Sequence, residues 1–184
     1  MNFNKHLDIQ GQHAFLGGSK YHWINYDEEK LVEVYSRFLA TQRGVELHDF
    51  ASTCIKLKQR LPKSQKSLNM YVNDAITFRM IPEQILKYSN YCWGTADSIS
   101  YSDSDGLLRI HDLKTGVVPG HIEQLIIYSA IFLLEYKKIP KKTELRIYQF
   151  DEVLSYEPTQ EEIQGLAEKI ISFDKVLFNL IEKD

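Results

Sequence analysis

The segment from residue 93 to residue 114 constrains the fold of this 184-residue chain more than any other segment. Apolar and polar side chains alternate from Trp93 to Tyr101 and again from Leu107 to Lys114, which is typical of two half-buried β-strands. The residues between them, Ser102 to Gly106, are turn formers, so we expect the two strands to form an antiparallel hairpin. The chain must therefore build a sheet that other elements cover.

The turn decides which residues of this hairpin face each other. A turn centred in the middle of the loop pairs Tyr101 with Leu108, and the same register places Asp97 opposite Asp112 to within one residue. Because side chains on a strand repeat every second residue, Lys114 is expected on the same face as Asp112. Two carboxylates and one ammonium on one face predict a site for a hydrated divalent cation.

An acid-x-Lys triplet means little by itself, since the chain contains three of them. Those at 28–30 and 135–137 fall on predicted helices, where positions two apart point in different directions. Asp112 and Lys114 lie on a predicted strand instead, and the alternative interpretation for them is a weak, exposed ion pair. Asp97 favours the cation site, because a carboxylate among apolar neighbours is costly to bury unless a cation neutralises it.

Length and composition fit one domain spanning residues 1–184. With 43% hydrophobic residues, a chain of this size is expected to bury about two thirds of its unfolded surface. The net charge of −3 does not attract nucleic acid by itself, so contact with DNA needs a local basic patch. The two isolated cysteines cannot supply a four-cysteine zinc or iron–sulfur site. No apolar stretch is long enough to span a bilayer, and we expect a cytoplasmic protein.

The periodicity predicts an α/β fold with a central mixed β-sheet, made of a three-stranded meander, a helix and a further strand, flanked by helices. A helical part covers about residues 1–80, the sheet core about 82–150 and a C-terminal helix about 159–182. The predicted helices are one from Asp27 that ends or bends at Gly44, then Val45–Leu61, Ser67–Arg79 and His121–Tyr136. The predicted strands outside the hairpin are Ile85–Tyr88 and Leu145–Phe150, and Thr159 with Glu162 offers a capping box for the last helix.

Four motifs of the chain are similar to those of one enzyme superfamily. They are Arg43–His48 (RGVELH), Gly94–Asp97 (GTAD), His111–Gly116 (HDLKTG) and Gln124-x-x-x-Tyr128. Their combination resembles the RecB-like branch of the PD-(D/E)XK nuclease superfamily, especially its small phage-encoded members. The resemblance spans about residues 14–150 and implies a restriction-endonuclease-like core. It also implies a divalent-metal-dependent DNA nuclease, with a phage-type exonuclease of recombination or replication as the expected member.

The resemblance also implies a set of metal ligands. Asp97, Asp112, the backbone carbonyl of Leu113 and His48 would hold Mg²⁺ or Mn²⁺, and Glu83 is a further candidate. The alternatives are a packed or capping histidine at position 48 and a solvated strand end at Glu83. A nitrogen ligand favours Mn²⁺ over the all-oxygen shell usual for Mg²⁺. Iron–sulfur members of the branch need four cysteines, so the subgroup without a cluster is implied.

Three further residues are expected to act on the substrate. Lys114 would position the attacking water, either as a general base or by stabilising charge. Gln124 and Tyr128 lie one helical turn apart and would contact the scissile phosphate or orient the lysine. The alternative interpretation of this pair is the polar stripe of an amphipathic helix.

A stretch without acidic residues carries a basic cluster of Lys56, Lys58, Arg60, Lys63 and Lys66. We expect it to follow a phosphate backbone into the site, although lysines at a helix end are also typical of an ordinary solvated surface. No feature of the sequence indicates reading of bases. DNA bound with little sequence specificity is therefore the expected substrate.

Two other functions stay open. One is a catalytically inactive nuclease fold that binds nucleic acid or protein, and the other is a structure-specific endonuclease or a ribonuclease. The candidate partners besides DNA are a second copy of the chain and a single-strand annealing protein, with no membrane partner. The expected setting is the cytoplasm of a bacterial or phage-infected bacterial cell.

Overall fold

A computed structural model of the chain describes residues 7–9, 11 and 13–181. The chain divides into two compact units, whose boundary lies between Arg43 and Gly44. The prediction of one domain over residues 1–184 stays a prediction.

The first unit contains two 3₁₀ helices, Leu7–Ile9 and Gly18–Asn25, and the beginning of helix α1 (Glu28–Lys56). Asp27 caps α1 as predicted, since its Oδ1 accepts a hydrogen bond of 2.7 Å from the Lys30 N–H. The rings of Phe15, Tyr35 and Phe38 pack together, with centroids 4.9 to 6.0 Å apart.

The second unit is an α/β fold in which helices flank a five-stranded mixed sheet. After the end of α1, its elements are α2 (Ser67–Thr77), β1 (Ile81–Lys87), β2 (Trp93–Ser102), β3 (Leu107–Leu113), α3 (Glu123–Tyr136), β4 (Lys142–Gln149), β5 (Glu152–Tyr156) and α4 (Gln160–Ile181). The strand order is β1-β2-β3-β4-β5. Strands β3 and β4 are parallel and the other neighbours antiparallel. Helix α3 connects the two parallel strands. Because β3 and β4 run in the same direction, both of them end at the same edge of the sheet.

The predicted hairpin register is confirmed. Tyr101 pairs with Leu108, and the ladder continues to Ser98 and His111. The next position of this register sets Asp97 opposite Asp112. In the connecting loop, Gly106 has φ +63°, a conformation that a glycine adopts without strain.

Each face of the sheet carries its own apolar layer. The layer under α3 consists mainly of Leu86, Ile99, Leu108, Ile110, Leu125, Ile131, Phe132, Leu145 and Ile147. The layer on the other face joins α1 and α2 to the sheet through Ala51, Cys54, Ile55, Tyr71, Val72, Ala75, Met80, Leu113 and Tyr148. Helix α4 covers α3 through a third cluster, Ala130, Leu134, Ile163 and Ala167. The alternation along β3 and β4 therefore separates two buried faces.

The prediction that the first helix ends at Gly44 is wrong, because α1 continues without interruption to Lys56; the alternative of a bend there stays a prediction. A Cβ at position 44 would lie 3.0 Å from Oγ1 of Thr115, so the glycine serves close packing and does not end the helix. The predicted second helix, Val45–Leu61, is the C-terminal part of α1. It stops earlier than expected, and Lys58 beyond it has φ +55°.

Two strand boundaries and one strand differ from the prediction. Strand β1 begins at Ile81 and includes Pro82, which an edge strand tolerates because one side of its backbone has no partner. Strand β4 begins at Lys142. Strand β5 was not predicted, because all five of its residues are exposed and show no alternation.

The helices after α1 agree more closely with the sequence. The predicted capping box is confirmed, since the Glu162 N–H donates to Thr159 Oγ1 at 3.2 Å and the Thr159 N–H to Glu162 Oε2 at 2.7 Å. The predicted end of this helix at residue 182 lies outside the described residues. None of the helices in residues 7–9, 11 and 13–181 has the length and apolarity needed to cross a membrane.

Candidate metal and catalytic site

Lys114 lies in a continuous series of polar contacts beside the end of β3. Its Nζ is 3.0 Å from Oδ1 of Asp112 and donates to Oε1 of Gln124 at 2.9 Å. The Gln124 Nε2 in turn donates to the Tyr128 hydroxyl at 3.2 Å. The structure thus brings four of the predicted catalytic residues into one network.

The local sequence explains this arrangement. Lys114 directly follows the last residue of β3, and its N–H extends the parallel pairing by donating to the Tyr148 carbonyl at 3.0 Å. The two-residue spacing then turns Asp112 and Lys114 to one side, as predicted. On α3 the four-residue spacing aligns Gln124 with Tyr128.

Gly94 lets the Tyr128 ring lie directly against β2. A Cβ at position 94 would be 2.7 Å from a ring carbon of Tyr128, which is closer than two carbon atoms can approach. The first residue of the GTAD motif therefore makes room for the last residue of the Gln124-x-x-x-Tyr128 motif.

Asp97 occupies the seam where β2 and β3 separate. The ladder between these strands ends at the Ser98–His111 pair, and the Leu113 N–H donates instead to Oδ2 of Asp97 at 2.9 Å. The same oxygen is 3.4 Å from Nδ1 of His48 on α1. Asp97 therefore connects the end of β3 to the helix that carries the predicted histidine ligand.

Glu83 completes a second group of residues beside the lysine network. In the β1–β2 register it falls opposite Asp97, between the pairs Pro82–Ser98 and Gln84–Ala96. Its φ of +53° is left-handed, a conformation that costs a residue with a side chain about 1–2 kcal/mol and that tends to occur at functional sites. One ligand atom from each of His48, Glu83 and Asp97 lies within 4.8 Å of the others.

Negative charge dominates this part of the molecule. Burial and, next in size, the charge of Asp112 raise the pKa of Asp97 to about 6, although His48 and the hydrogen bond from the Leu113 N–H act in the opposite direction. Burial and the charge of Asp97 also raise the pKa of the neighbouring Tyr71 phenol. A cation bound here would relieve the repulsion between the two aspartates.

The residues fit a divalent cation. Imidazole nitrogen and carboxylate oxygens suit Mn²⁺, and carboxylates with water suit Mg²⁺. Asp112 is 1% exposed, and its Oδ2 makes no hydrogen bond within the part of the chain that the structure describes, although it lies 2.9 Å from Lys114 Nζ. A buried carboxylate oxygen without a hydrogen bond is an available metal ligand.

The predicted metal ligands are grouped in the structure in a different way from the prediction. Among the described residues, the group close enough to share one ion consists of His48, Glu83 and Asp97, whereas Asp112 contacts Lys114. For Leu113 the contact seen is that of its N–H with Asp97, and a role for its carbonyl stays a prediction. Ligand roles for all of these residues also stay predictions.

The predicted basic cluster, Lys56, Lys58, Arg60, Lys63 and Lys66, is exposed throughout. Arg60 also has a structural contact, because its guanidinium donates to the Asn73 carbonyl at 3.2 Å and to Thr77 Oγ1 at 3.1 Å. It thus ties the α1–α2 connection to the end of α2. Contact of the cluster with DNA stays a prediction.

Sequence reasoning missed Gln149, the last residue of β4. Its side chain is 7% exposed and makes hydrogen bonds of 2.8 Å with Gly116, Val118 and Gly120 of the loop between β3 and α3. The signal was its place in the alternation, because it follows Ile147 by two residues and so falls on a buried face.

No protein-family model matches the chain, and neither a curated protein nor a solved structure is significantly similar to it.

Proposed function

We propose that this protein is a divalent-metal-dependent nuclease that hydrolyses phosphodiester bonds in DNA. We assign it to the RecB-like branch of the PD-(D/E)XK superfamily, without an iron–sulfur cluster, and its α/β core to the restriction-endonuclease-like fold. The observation that carries the proposal is the position of Lys114, between Asp112 and Gln124 and beside the group of His48, Glu83 and Asp97. An ordinary surface ion pair would explain neither the burial of Asp112 nor the nearby group of His48, Glu83 and Asp97.

One group of residues would bind the metal ion, and Lys114 would act on the attacking water. His48, Glu83, Asp97 and Asp112 would hold Mg²⁺ or Mn²⁺, which when bound supplies charge for the phosphoryl oxygens and activates water. Lys114 orients the attacking water and stabilises developing negative charge. Its ammonium is itself held by Asp112 and Gln124, so little reorganisation is needed when the substrate arrives.

Gln124 and Tyr128 act on the lysine and the phosphate. The Gln124 Oε1 accepts from Lys114 Nζ, which leaves its amide N–H groups for Tyr128 and for a phosphate oxygen. The Tyr128 hydroxyl can accept from Gln124 and donate to a second phosphate oxygen. Both side chains are half-buried, so substrate can reach them while the protein limits their movement.

The wider setting is also part of the proposal. We expect a phage-type exonuclease of recombination or replication in the cytoplasm of a bacterial or phage-infected cell. DNA is recognised through its backbone, with the cluster Lys56–Lys66 as a candidate track. A second copy of the chain and a single-strand annealing protein are candidate partners.

A panel of labelled substrates tests the proposal. Linear and circular duplex, single-stranded DNA and RNA are incubated with the full chain in Mg²⁺, Mn²⁺ or EDTA. We expect linear DNA to be degraded with either metal, closed circles to be spared and EDTA to abolish cleavage. Cleavage of closed circles would favour a structure-specific endonuclease, and cleavage of RNA alone would favour a ribonuclease.

Two variants and a matched control connect the activity to the site. Lys114→Ala and Asp112→Ala should each lower the rate by at least about a hundredfold. The control is Lys142→Ala, which removes an exposed lysine paired with Glu157 and should leave the rate unchanged. Full activity in both site variants would indicate a contaminating nuclease, and binding of DNA without cleavage would indicate the inactive module.

A further inference from the structure

We propose that Gln149 is a positioning residue that fixes Lys114 in its working place by holding the loop between β3 and α3. This inference rests on the proposed nuclease function for its kinetic consequences. It concerns the way in which the lysine is held, which the structure describes independently of the reaction.

Residues 115–119 of this loop are exposed, and Ile122 at its end packs against the core under α3. Residues 115–122 connect β3 to α3 without regular structure, and they include two glycines. Val117 and Val118 are 88% and 72% exposed, so most of the surface of their side chains faces solvent. A segment with few buried contacts opens at low cost in free energy.

Gln149 supplies the missing anchor through one amide group. Its Nε2 donates to the carbonyls of Gly116 and Val118, and its Oε1 accepts from the Gly120 N–H, each at 2.8 Å. A primary amide carries two donors and one acceptor group at its end, so it can make all three bonds at once. A glutamate carboxylate cannot donate, and the thioether of methionine, which has a similar length, cannot donate and accepts only weakly.

Gly120 transmits this restraint to the lysine. A Cβ at position 120 would lie 2.9 Å from Cγ and 3.3 Å from Cε of Lys114, and 3.1 Å from Ile147. The backbone at Gly120 is therefore packed against the aliphatic part of the Lys114 side chain. Gln149 holds Gly120 at its N–H, Gly120 limits where the lysine chain can go, and Nζ is thereby kept between Asp112 and Gln124.

The location of Gln149 makes it a firm anchor. It ends β4, which pairs in parallel with β3, the strand that Lys114 follows. The turn after it is tied to α2, because the Asp151 N–H donates to Ser67 Oγ at 2.8 Å and the Ser67 N–H to Asp151 Oδ1 at 3.0 Å. Gln149 is thus held on one side by the sheet and on the other by the turn that α2 fixes.

The test compares Gln149→Met with wild type by two readouts. The first is the ¹⁵N signal of the Lys114 ammonium, identified by its absence in Lys114→Arg, in metal-free full-length protein. We expect a resolved signal in wild type, because hydrogen bonds slow proton exchange, and a broadened or shifted signal in Gln149→Met. The second readout is cleavage of linear DNA, where kcat should fall between about tenfold and a hundredfold with KM unchanged.

Two other variants keep the test decisive. Gly120→Ala leaves Gln149 intact but fills the space against Lys114, so it should alter the same signal and lower kcat even if Gln149→Met does not fold. Gln160→Leu is the matched control, since it removes a single side-chain bond to the Pro140 carbonyl, 3.2 Å long, and should change neither readout.

The outcomes separate this inference from the proposed function. The positioning role would be refuted if Gln149→Met and Gly120→Ala both kept the Lys114 signal and the kcat of wild type. The proposed nuclease function would not be affected by that result. No cleavage by wild type, with the Lys114 signal lost in both variants, would refute the nuclease and uphold the positioning role. A wild-type protein without a resolved Lys114 signal would contradict the inference directly.

Discussion

Glu83 and Asp97 lie opposite each other between β1 and β2 at a position where the two strands do not pair, and Glu83 is held there with φ +53°. The unfavourable backbone conformation and the candidate ligand group thus coincide at one residue. Glycine is the residue that adopts this backbone conformation easily, yet the residue at this position is a glutamate, which carries a carboxylate.

This coincidence predicts an unusual result for two substitutions. Glu83→Gly should be more stable than Glu83→Ala by about 1 kcal/mol, because both remove the carboxylate but only glycine accepts a left-handed φ without strain. Urea unfolding in EDTA measures the difference. The neighbouring Gln84 is the control, since glycine there should be less stable than alanine by about 0.5–1 kcal/mol. An alanine variant at position 83 as stable as the glycine variant would contradict the argument.

The raised pKa of Asp97 predicts how stability depends on pH without metal. Because the folded protein binds this proton with a pKa of about 6 and the unfolded chain with the usual 3.8, folding becomes less favourable as pH rises from about 4 to 6. The gap between the two values corresponds to about 3 kcal/mol, fully present above pH 6. Asp97→Asn should remove this cost, so in EDTA it should exceed wild type in stability at pH 7 and match it near pH 4.

The quantity to compare is the difference between the two proteins at each pH, obtained from thermal unfolding. Burial and the charges of Arg146 and Arg109 lower the pKa of His111 to about 3, so its contribution has the opposite sign and is lost as pH falls from 6.5 towards 3. That contribution is common to both proteins and cancels. Asp103→Asn, at an exposed carboxylate, is the control, and parallel curves for wild type and Asp97→Asn would refute the prediction.

His48 predicts a preference between metals. His48→Ala should weaken Mn²⁺ binding by at least about tenfold and Mg²⁺ binding less, because a nitrogen ligand matters more to Mn²⁺. Isothermal titration calorimetry of the two ions with wild type and variant measures both affinities. His121→Ala, at an exposed histidine before α3, is the control. Equal losses for the two ions would mean that the imidazole is not a ligand.

Gly94 and Tyr128 should show strong energetic coupling. Gly94→Ala forces the Tyr128 ring away from β2 and should destabilise the protein by about 1–3 kcal/mol. In a Tyr128→Ala background the same substitution should cost little, since the ring that it would meet is gone. A double-mutant cycle by urea unfolding isolates this coupling, and additive effects would show that the contact has no energetic weight.

The sequence predicts most of the sheet because its signals are local. Alternation and turn residues suffice to place Tyr101 opposite Leu108, and from that pair the register of the two aspartates follows. The prediction for Gly44 was wrong because a glycine serves equally as a helix end and as a place of close approach, and Thr115 is distant in the chain. Strand β5 offers no local signal, since its exposed residues do not alternate.

The candidate site was predictable in part for the same reason. The spacing of Asp112 to Lys114 and of Gln124 to Tyr128 is a property of one strand and one helix. The left-handed φ of Glu83 cannot be read from its residue type, because glutamate rarely adopts it. The role of Gln149 depends on a parallel pairing that brings it beside a loop whose three contacting residues lie 29 to 33 positions earlier in the chain.

The parallel pairing of β3 with β4 also sets an order of events during synthesis. Asp112 and Lys114 leave the ribosome before Tyr148 and Gln149, by an interval of a few seconds at ordinary rates of translation. Until β4 joins the sheet, the Lys114 N–H lacks its partner and the loop its anchor. A nascent chain therefore carries Asp112 and Lys114 before it carries the residues that hold them, and these contacts can form only after Gln149 has been made.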